Sequence, residues 1–330
     1  MTTRSTVRRL LLAGLMTLTA VMAPRPVIAQ DKAIAPDVKK YLQHLVNKLR
    51  EFRVGRDEVD WKQVEAKTLT AAAGAQSITD AYPAIRVALA EIRDPWAMYR
   101  SALGQVVGPD QPRCLRTMAT APTVSGDVGY LKVAPVPNRG IRAEREASVA
   151  VRTALKKGDT DGAVNWIIDL RGHFMGSLAS AVVGLSPLMG DGTVFKMQYA
   201  NTVVPFNSSQ SSIKADGQEL QMDIGKFALT NTKRRIAVLV DGGTAGVGEL
   251  LAIAFEGRSD ARVFGTPTCG IPPLRLVPQK LNDGAELTVS AMRIMDRDGK
   301  VYRGPIEPHE RIEEEAKLFE RAIAWLSTGK

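Results

Sequence analysis

The chain has 330 residues, 45% of them hydrophobic and 24% charged, with a formal charge of +9 and an isoelectric point near 9.6. That length can bury one large core or two, and the composition excludes a disordered or collagen-like chain. Removing residues 1–29, which hold four arginines and no acid, lowers the charge from +9 to +5, a mild, dispersed balance that argues against nucleic-acid binding.

Residues 1–29 read as a secretory signal. Arg4, Arg8 and Arg9 form a basic start, residues 10–23 an uncharged, mostly apolar run, and Val27, Ile28 and Ala29 a small-residue cleavage site. The run is too short for a stable membrane anchor, so the expected product is periplasmic or secreted and begins at Gln30. The Arg8–Arg9 pair leaves ordinary secretion and twin-arginine export both open.

Residues 30–107 read as a helical subdomain. Val38, Tyr41, Leu42, Leu45, Leu49 and Phe52 fall on one face of a helix over 36–52. Asp60 caps a second helix through Trp61, Val64 and Leu69, and Thr79 opens a third with Pro83 in its first turns. Residues 108–126 hold three prolines and two glycines and read as a loop.

From 127 to 330 strands and helices alternate, which implies an α/β domain. Expected strands cover 129–133, 166–170, 194–199, 202–206, 236–240, 262–264, 274–277 and 287–292; expected helices cover 143–157, 178–188, 250–255 and 310–327. The polar stretch 208–217 reads as an exposed loop. Two turns are rich in glycine: Arg171-Gly-His-Phe-Met-Gly176 after one buried strand, and Asp241-Gly-Gly-Thr-Ala-Gly-Val-Gly-Glu249 after another. A strand, such a turn and a helix N-terminus gather free backbone N–H groups that can hold an anion or an oxyanion. Cys114 and Cys269, in an oxidising compartment, can pair; so long a loop would contribute on the order of 4–5 kcal/mol in the chain-entropy model. Three scattered histidines give no metal-ligand spacing, so neither a metal nor a cofactor is expected.

Several pieces, in order, resemble the tail-specific, or C-terminal-processing, serine peptidases (serine peptidase family 41). Gly126-Asp-Val-Gly-Tyr-Leu131 is similar to the family's Gly-x-Ile-Gly-Tyr-Leu strand, and Ile168-Asp-Leu-Arg-Gly172 to its Asp-Leu-Arg-Gly-Asn-x-Gly-Gly turn. Thr244-Ala-Gly-Val-Gly-Glu249 stands where Thr-Ala-Ser-x-x-Glu is expected, and 265–270, 283–284 and 302–308 fit the remaining pattern. The resemblance implies a crotonase-like (ClpP/crotonase-type) α/β core of strand-helix units behind the helical subdomain. Many members insert a PDZ domain, for which the 108–126 loop leaves no room.

The resemblance also marks departures. The family nucleophile falls on Gly246. The base of the lysine-dyad branch falls on Ile271, and that of the tricorn-like branch on Trp96. His173 replaces an asparagine, Met175 a glycine and His309 an aspartate. A serine hydrolase needs a nucleophile and a base within hydrogen-bond reach, and neither branch's pair is present. The leading expectation is an exported peptidase-like protein without the standard chemistry. It would bind peptides or protein C-termini through the turns at Gly172, Gly176, Gly246 and Val247.

A second expectation is a hydrolase with a relocated nucleophile, Cys269 or Thr244, served by His173 or His309; a Cys114–Cys269 bridge would remove the thiol. A third is a structural or assembly component whose interface lies on the first helices. Glu249 is either a helix cap or a partner of the turn amides, and Trp96 either a core anchor or a plug in the vacated base position. Nothing in the pattern indicates an oligomeric state.

Overall fold

The computed structural model describes residues 33–94, 96–109, 114–115, 120–124, 126–136, 140–199, 202–222, 224–270 and 276–329. The expected signal, its cleavage site and Ile271 lie outside them. No helix among the described residues is long and apolar enough to cross a membrane.

The amphipathic pattern after the leader folds as α1 (Pro36–Phe52), with Val38, Leu42, Leu45, Val46 and Leu49 buried. Asp60 accepts the Gln63 N–H at 3.1 Å and so caps α2 (Trp61–Ala71). The third helix, α3 (Tyr82–Glu91), starts later than Thr79, because Ser77 and Asp80 first close a turn on each other. The α1 stripe packs against α2 and α3, which leaves the assembly reading without an apolar surface on that helix.

This helical layer also recruits a hairpin from the distant part of the chain. Leu276–Lys280 pairs with Glu286–Ser290, and the latter with Met98–Arg100, a short strand the sequence pattern does not reveal. Leu281, Ala285, Leu287 and Val289 enter the helical core, which therefore draws on residues from both sides of position 127.

The α/β body is built on a fully parallel sheet in the order Glu310–Arg311, Ala261–Gly265, Ile236–Val240, Asn165–Asp169, Val128–Lys132. Ile236–Val240 is buried along its whole length. A strand covered on both faces needs no polar alternation, hence its continuous apolar run. Side chains alternate between two cores. Ile168, Val238 and Val240 face α4 (Ile141–Thr160), α5 (Leu178–Met189) and α6 (Val247–Phe255). Ile167, Ala237 and Leu239 face α7 (Glu315–Thr328). The closing helix expected over 310–327 is therefore split: Glu310–Arg311 first extends the sheet, and the helix begins only at Glu315.

Beyond α5 an antiparallel sheet carries Gly192–Tyr199 and Thr202–Ser208. The stretch expected as a loop over 208–217 holds the first strand and the turn of a hairpin, Ser212–Ala215 with Gln218–Gln221, turning at Asp216–Gly217. The strand expected over 287–292 ends at Ser290, and Met292–Asp296 leaves for this other sheet. Arg152 on α4 is buried with no carboxylate partner among the described residues; it donates to the carbonyls of Val183, Gln210 and Gly225, tying that hairpin's approach to α5.

Candidate functional site

The two glycine turns meet at the carboxyl ends of Asn165–Asp169 and Ile236–Val240, where open parallel sheets place their ligands. Asp241 couples them. Its Oδ1 accepts the Gly172 N–H at 2.8 Å and the Gly243 N–H at 2.9 Å. Phe174 and Ala245 form a parallel bridge, and the Met175 N–H donates to the Ala245 carbonyl at 3.1 Å. The Asp-Gly-Gly sequence carries an Asx-turn signal for this role, though not the partner it reaches.

Asp169 and Arg171 hold the first turn from below. Both are buried, and the Arg171 fork reaches the Asp169 carboxylate at 3.0 and 2.7 Å. Arg171 also donates to Glu315 at 2.6 Å and to the Thr120 carbonyl at 2.9 Å, and lies 4.7 Å over the Phe319 ring. Burial alone would raise the Asp169 pKa, but Arg171 and Lys132 outweigh it and hold it below the usual range. The Asp-Leu-Arg-Gly motif is thus a clamp between the turn and α7.

Gly246 heads α6 with φ 61° and ψ −114°, a strand-to-helix corner that L side chains rarely occupy. A Cβ there would stand 2.6 Å from the Met175 Sδ. Met175, itself at φ 59°, thus leans into the space above the missing side chain. Of the four expected donors, two are already engaged. Gly172 N–H is taken by Asp241, and Gly246 N–H by Glu249 Oε2 at 3.2 Å. Gly176 and Val247 have no N–H partner among the described residues.

Glu249 combines both expected roles. It caps α6 through Gly246, and its Oε1 accepts from the Thr268 hydroxyl and, at 2.8 Å, from the Gly270 N–H. Burial pushes its pKa up to about 7, against the pull of these three donors. A folded pKa above the usual value near 4.5 favours folding below pH 4.5, and that advantage is lost as pH rises through about 7. Denaturation midpoints between pH 5 and 8 are expected to fall for the wild type and to fall less for Glu249→Gln; parallel curves would exclude this carboxyl as their source.

Both fallback nucleophiles are engaged in the structure. Cys269 is bridged to Cys114 across 155 residues, so no thiol is present. Thr244 is fully buried; its hydroxyl donates to the Leu170 carbonyl at 2.8 Å and accepts the Asp241 N–H at 3.0 Å. The His173 Nδ1 lies 2.8 Å from the Val133 carbonyl, so it must carry the proton; burial lowers the ring's pKa and keeps it neutral. Its Nε2 is buried without a partner among the described residues. His309 accepts the Val263 N–H at 3.1 Å, on a different edge of the sheet. Trp96 is half-buried and is no core anchor: its indole N–H donates to the Gly270 carbonyl at 3.2 Å, joining the helical layer to the 265–270 turn that Glu249 holds. Among the described residues no cluster of His, Cys, Asp or Glu could hold a metal ion.

The bridge also anchors Leu115, whose N–H donates to the Gly242 carbonyl at 2.9 Å. Replacing both cysteines by serine is expected to cost about 2–4 kcal/mol; an unchanged urea midpoint would contradict this.

The model of peptidase family S41 matches residues 127–312. The nisin-resistance protein of Lactococcus lactis subsp. lactis is 24% identical over 280 residues, 83% of this chain and 83% of that protein. Among solved structures, a lipoprotein from Streptococcus agalactiae superposes with a TM-score of 0.53 at 14% identity, covering 88% of this chain and 96% of that one. A proposed peptidase from Parabacteroides merdae ATCC 43184 gives 0.57 at 13%, covering 88% and 98%. At these identities the structural likenesses establish the fold.

Proposed function

This chain belongs to peptidase family S41, and from that premise we propose that it is an exported member that binds peptides without cleaving them. One observation carries the reading: the corner at the head of α6 is occupied by Gly246, which has nothing to attack a carbonyl with. Around it the apparatus for holding a carbonyl persists, with the Gly176 and Val247 N–H groups free of partners among the described residues. The half-buried Trp96 stands where a histidine base is expected, and the Cys114–Cys269 bridge argues against a relocated thiol nucleophile. Phe174 and Met175, 48% and 43% exposed, border the corner and offer apolar contact to a ligand's side chains.

Protein beginning at Gln30, incubated with a pool of unfolded polypeptides and with nisin, tests this. Nisin belongs in the pool because the Lactococcus lactis relative is a nisin-resistance protein. The expected result is retention of peptides with no new termini by mass spectrometry. Turnover by the wild type would end this reading. Export is tested by fractionating cells that express the full chain; an uncleaved cytoplasmic product would refute the signal.

A further inference from the structure

At the seam between the helical layer and the α/β body lies a half-open notch of about 60 Å³, room for several waters or for one carboxylate. Arg53 and Arg93 line it from the helical layer, and Arg293 and Arg303 from the body. Their charges are only partly answered. Glu58 takes Arg293 at 2.6 Å and Arg303 at 3.0 Å. Asp94 is turned to Ser290 and to the Trp96 N–H. Arg53 and Arg93 form no ion pair among the described residues.

Several features mark the notch as built. Arg53 donates through one nitrogen to the Val54 and Gly55 carbonyls, and its Nε is buried without a partner. Arg93 adopts φ 52°, a strained conformation for an arginine. A Cβ on Gly55 would collide with the Arg293 guanidinium, so glycine at 55 is what lets that group lie where it does. Burial, aided by Arg293, lowers the Arg53 pKa against the pull of Asp94, as expected of a cation short of a counter-charge.

We propose that this notch is a carboxylate-binding site, which receives the C-terminal carboxylate or an acidic side chain of a bound peptide. The planar fork of Arg93 matches a carboxylate's two oxygens, Arg53 adds the donors its two carbonyl bonds leave over, and Arg293 already holds Glu58 by such a fork, at 2.8 and 2.6 Å. Trp96 lines the notch and bonds to Gly270, whose own N–H reaches Glu249. A chain of contacts therefore runs from the notch to the Gly246 corner. As a site on a peptide, this inference rests on the peptide-binding reading; the anion site itself does not.

The test has two arms. In the first, matched peptides with a free or amidated C-terminus, with and without one glutamate, are titrated against the wild type and Arg93→Ala, whose side chain is exposed and whose melting should stay unchanged. The carboxylate form is expected to bind about tenfold tighter, as one charge-assisted fork would give, and Arg93→Ala and Arg53→Gln to erase the preference. Which carboxylate matters separates the two sources.

In the second arm, N-acetylglycinate, N-acetylglycinamide and inorganic phosphate are titrated while the Trp96 indole N–H is followed by NMR. A shift with the acid alone, lost in Arg93→Ala, supports the site even if no peptide is retained, in which case only the peptide-binding reading falls. Equal behaviour of acid and amide in both arms overturns the site, and retained peptides would then leave the peptide-binding reading standing. A response to phosphate but not to carboxylate overturns the assignment too.

Discussion

Arg171→Ala is expected to lower the free energy of unfolding by about 3–5 kcal/mol, the usual consequence of removing one partner from a buried ion pair. The substitution leaves Asp169, fully inaccessible, with the backbone N–H of residue 171 at 3.0 Å, Lys132 at 3.3 Å and the Tyr130 hydroxyl at 2.8 Å. Lys132 keeps the carboxylate from being wholly uncompensated, which favours the lower part of that range. A second loss is structural. Arg171 is the bond between the turn and α7, through Glu315 at 2.6 Å and the Phe319 ring. Hydrogen exchange should therefore accelerate in α7 more than in α5. Arg171→Lys, which cannot make a fork, should fall between. Urea denaturation followed by circular dichroism reads the first effect; a change under about 1 kcal/mol would mean that the clamp is not what holds the turn.

The parallel core is legible in the sequence because its strands are buried on both faces. Ile236–Val240 and Asn165–Asp169 cannot vary toward polarity without losing a core, so each stands out as a run. Helix α1 is legible because its buried stripe keeps a helical period. The hairpin 212–221 is not: Gln218–Gln221 is exposed throughout, so its pairing is made by backbone groups that carry no residue signature. Met98–Arg100 hides for a related reason, being three residues long and paired with a strand nearly two hundred positions away.

The site divides along the same line. Gly246, Trp96 and the cysteines can be picked out because each falls at a marked position in a local motif. The arginine notch cannot, because Arg53, Arg93, Arg293 and Arg303 come from separate segments, each reading alone as a solvated charge. Nor does any local pattern join Arg171 to Glu315 across 144 positions. Sequence also suggests four equivalent donors in the two turns. Only the three-dimensional pairing with Asp241 and Glu249 separates the occupied ones from the free ones.

Gly246→Ser alone is expected to give no peptide turnover, although it restores a hydroxyl at the family's nucleophile position. Two costs appear in the geometry. The new Cβ meets the Met175 Sδ at 2.6 Å, and serine must adopt φ 61°. The first is small, since the end of a methionine side chain can swing aside. The second costs about 1–3 kcal/mol of stability. Neither is the decisive obstacle. A serine hydroxyl at neutral pH is a poor nucleophile until a base takes its proton, and the two family base positions hold Ile271 and Trp96 instead. Trp96 cannot accept a proton, Lys132 is bound to Asp169, the Glu249 carboxyl is held by the Gly246 and Gly270 N–H groups and the Thr268 hydroxyl, and the His173 Nε2, the free lone pair of that ring, is buried away from solvent. The variant should therefore lack the factor of roughly 10⁴–10⁶ that a paired nucleophile and base contribute. Turnover should first emerge when Gly246→Ser is joined by Trp96→His, with Met175→Gly removing the thioether and suiting the positive φ at that position. Active-site labelling by a fluorophosphonate reports on each step independently of substrate choice. Labelling of Gly246→Ser alone would reveal a base not identified in this fold, and would turn the inert reading into that of an enzyme missing one atom group.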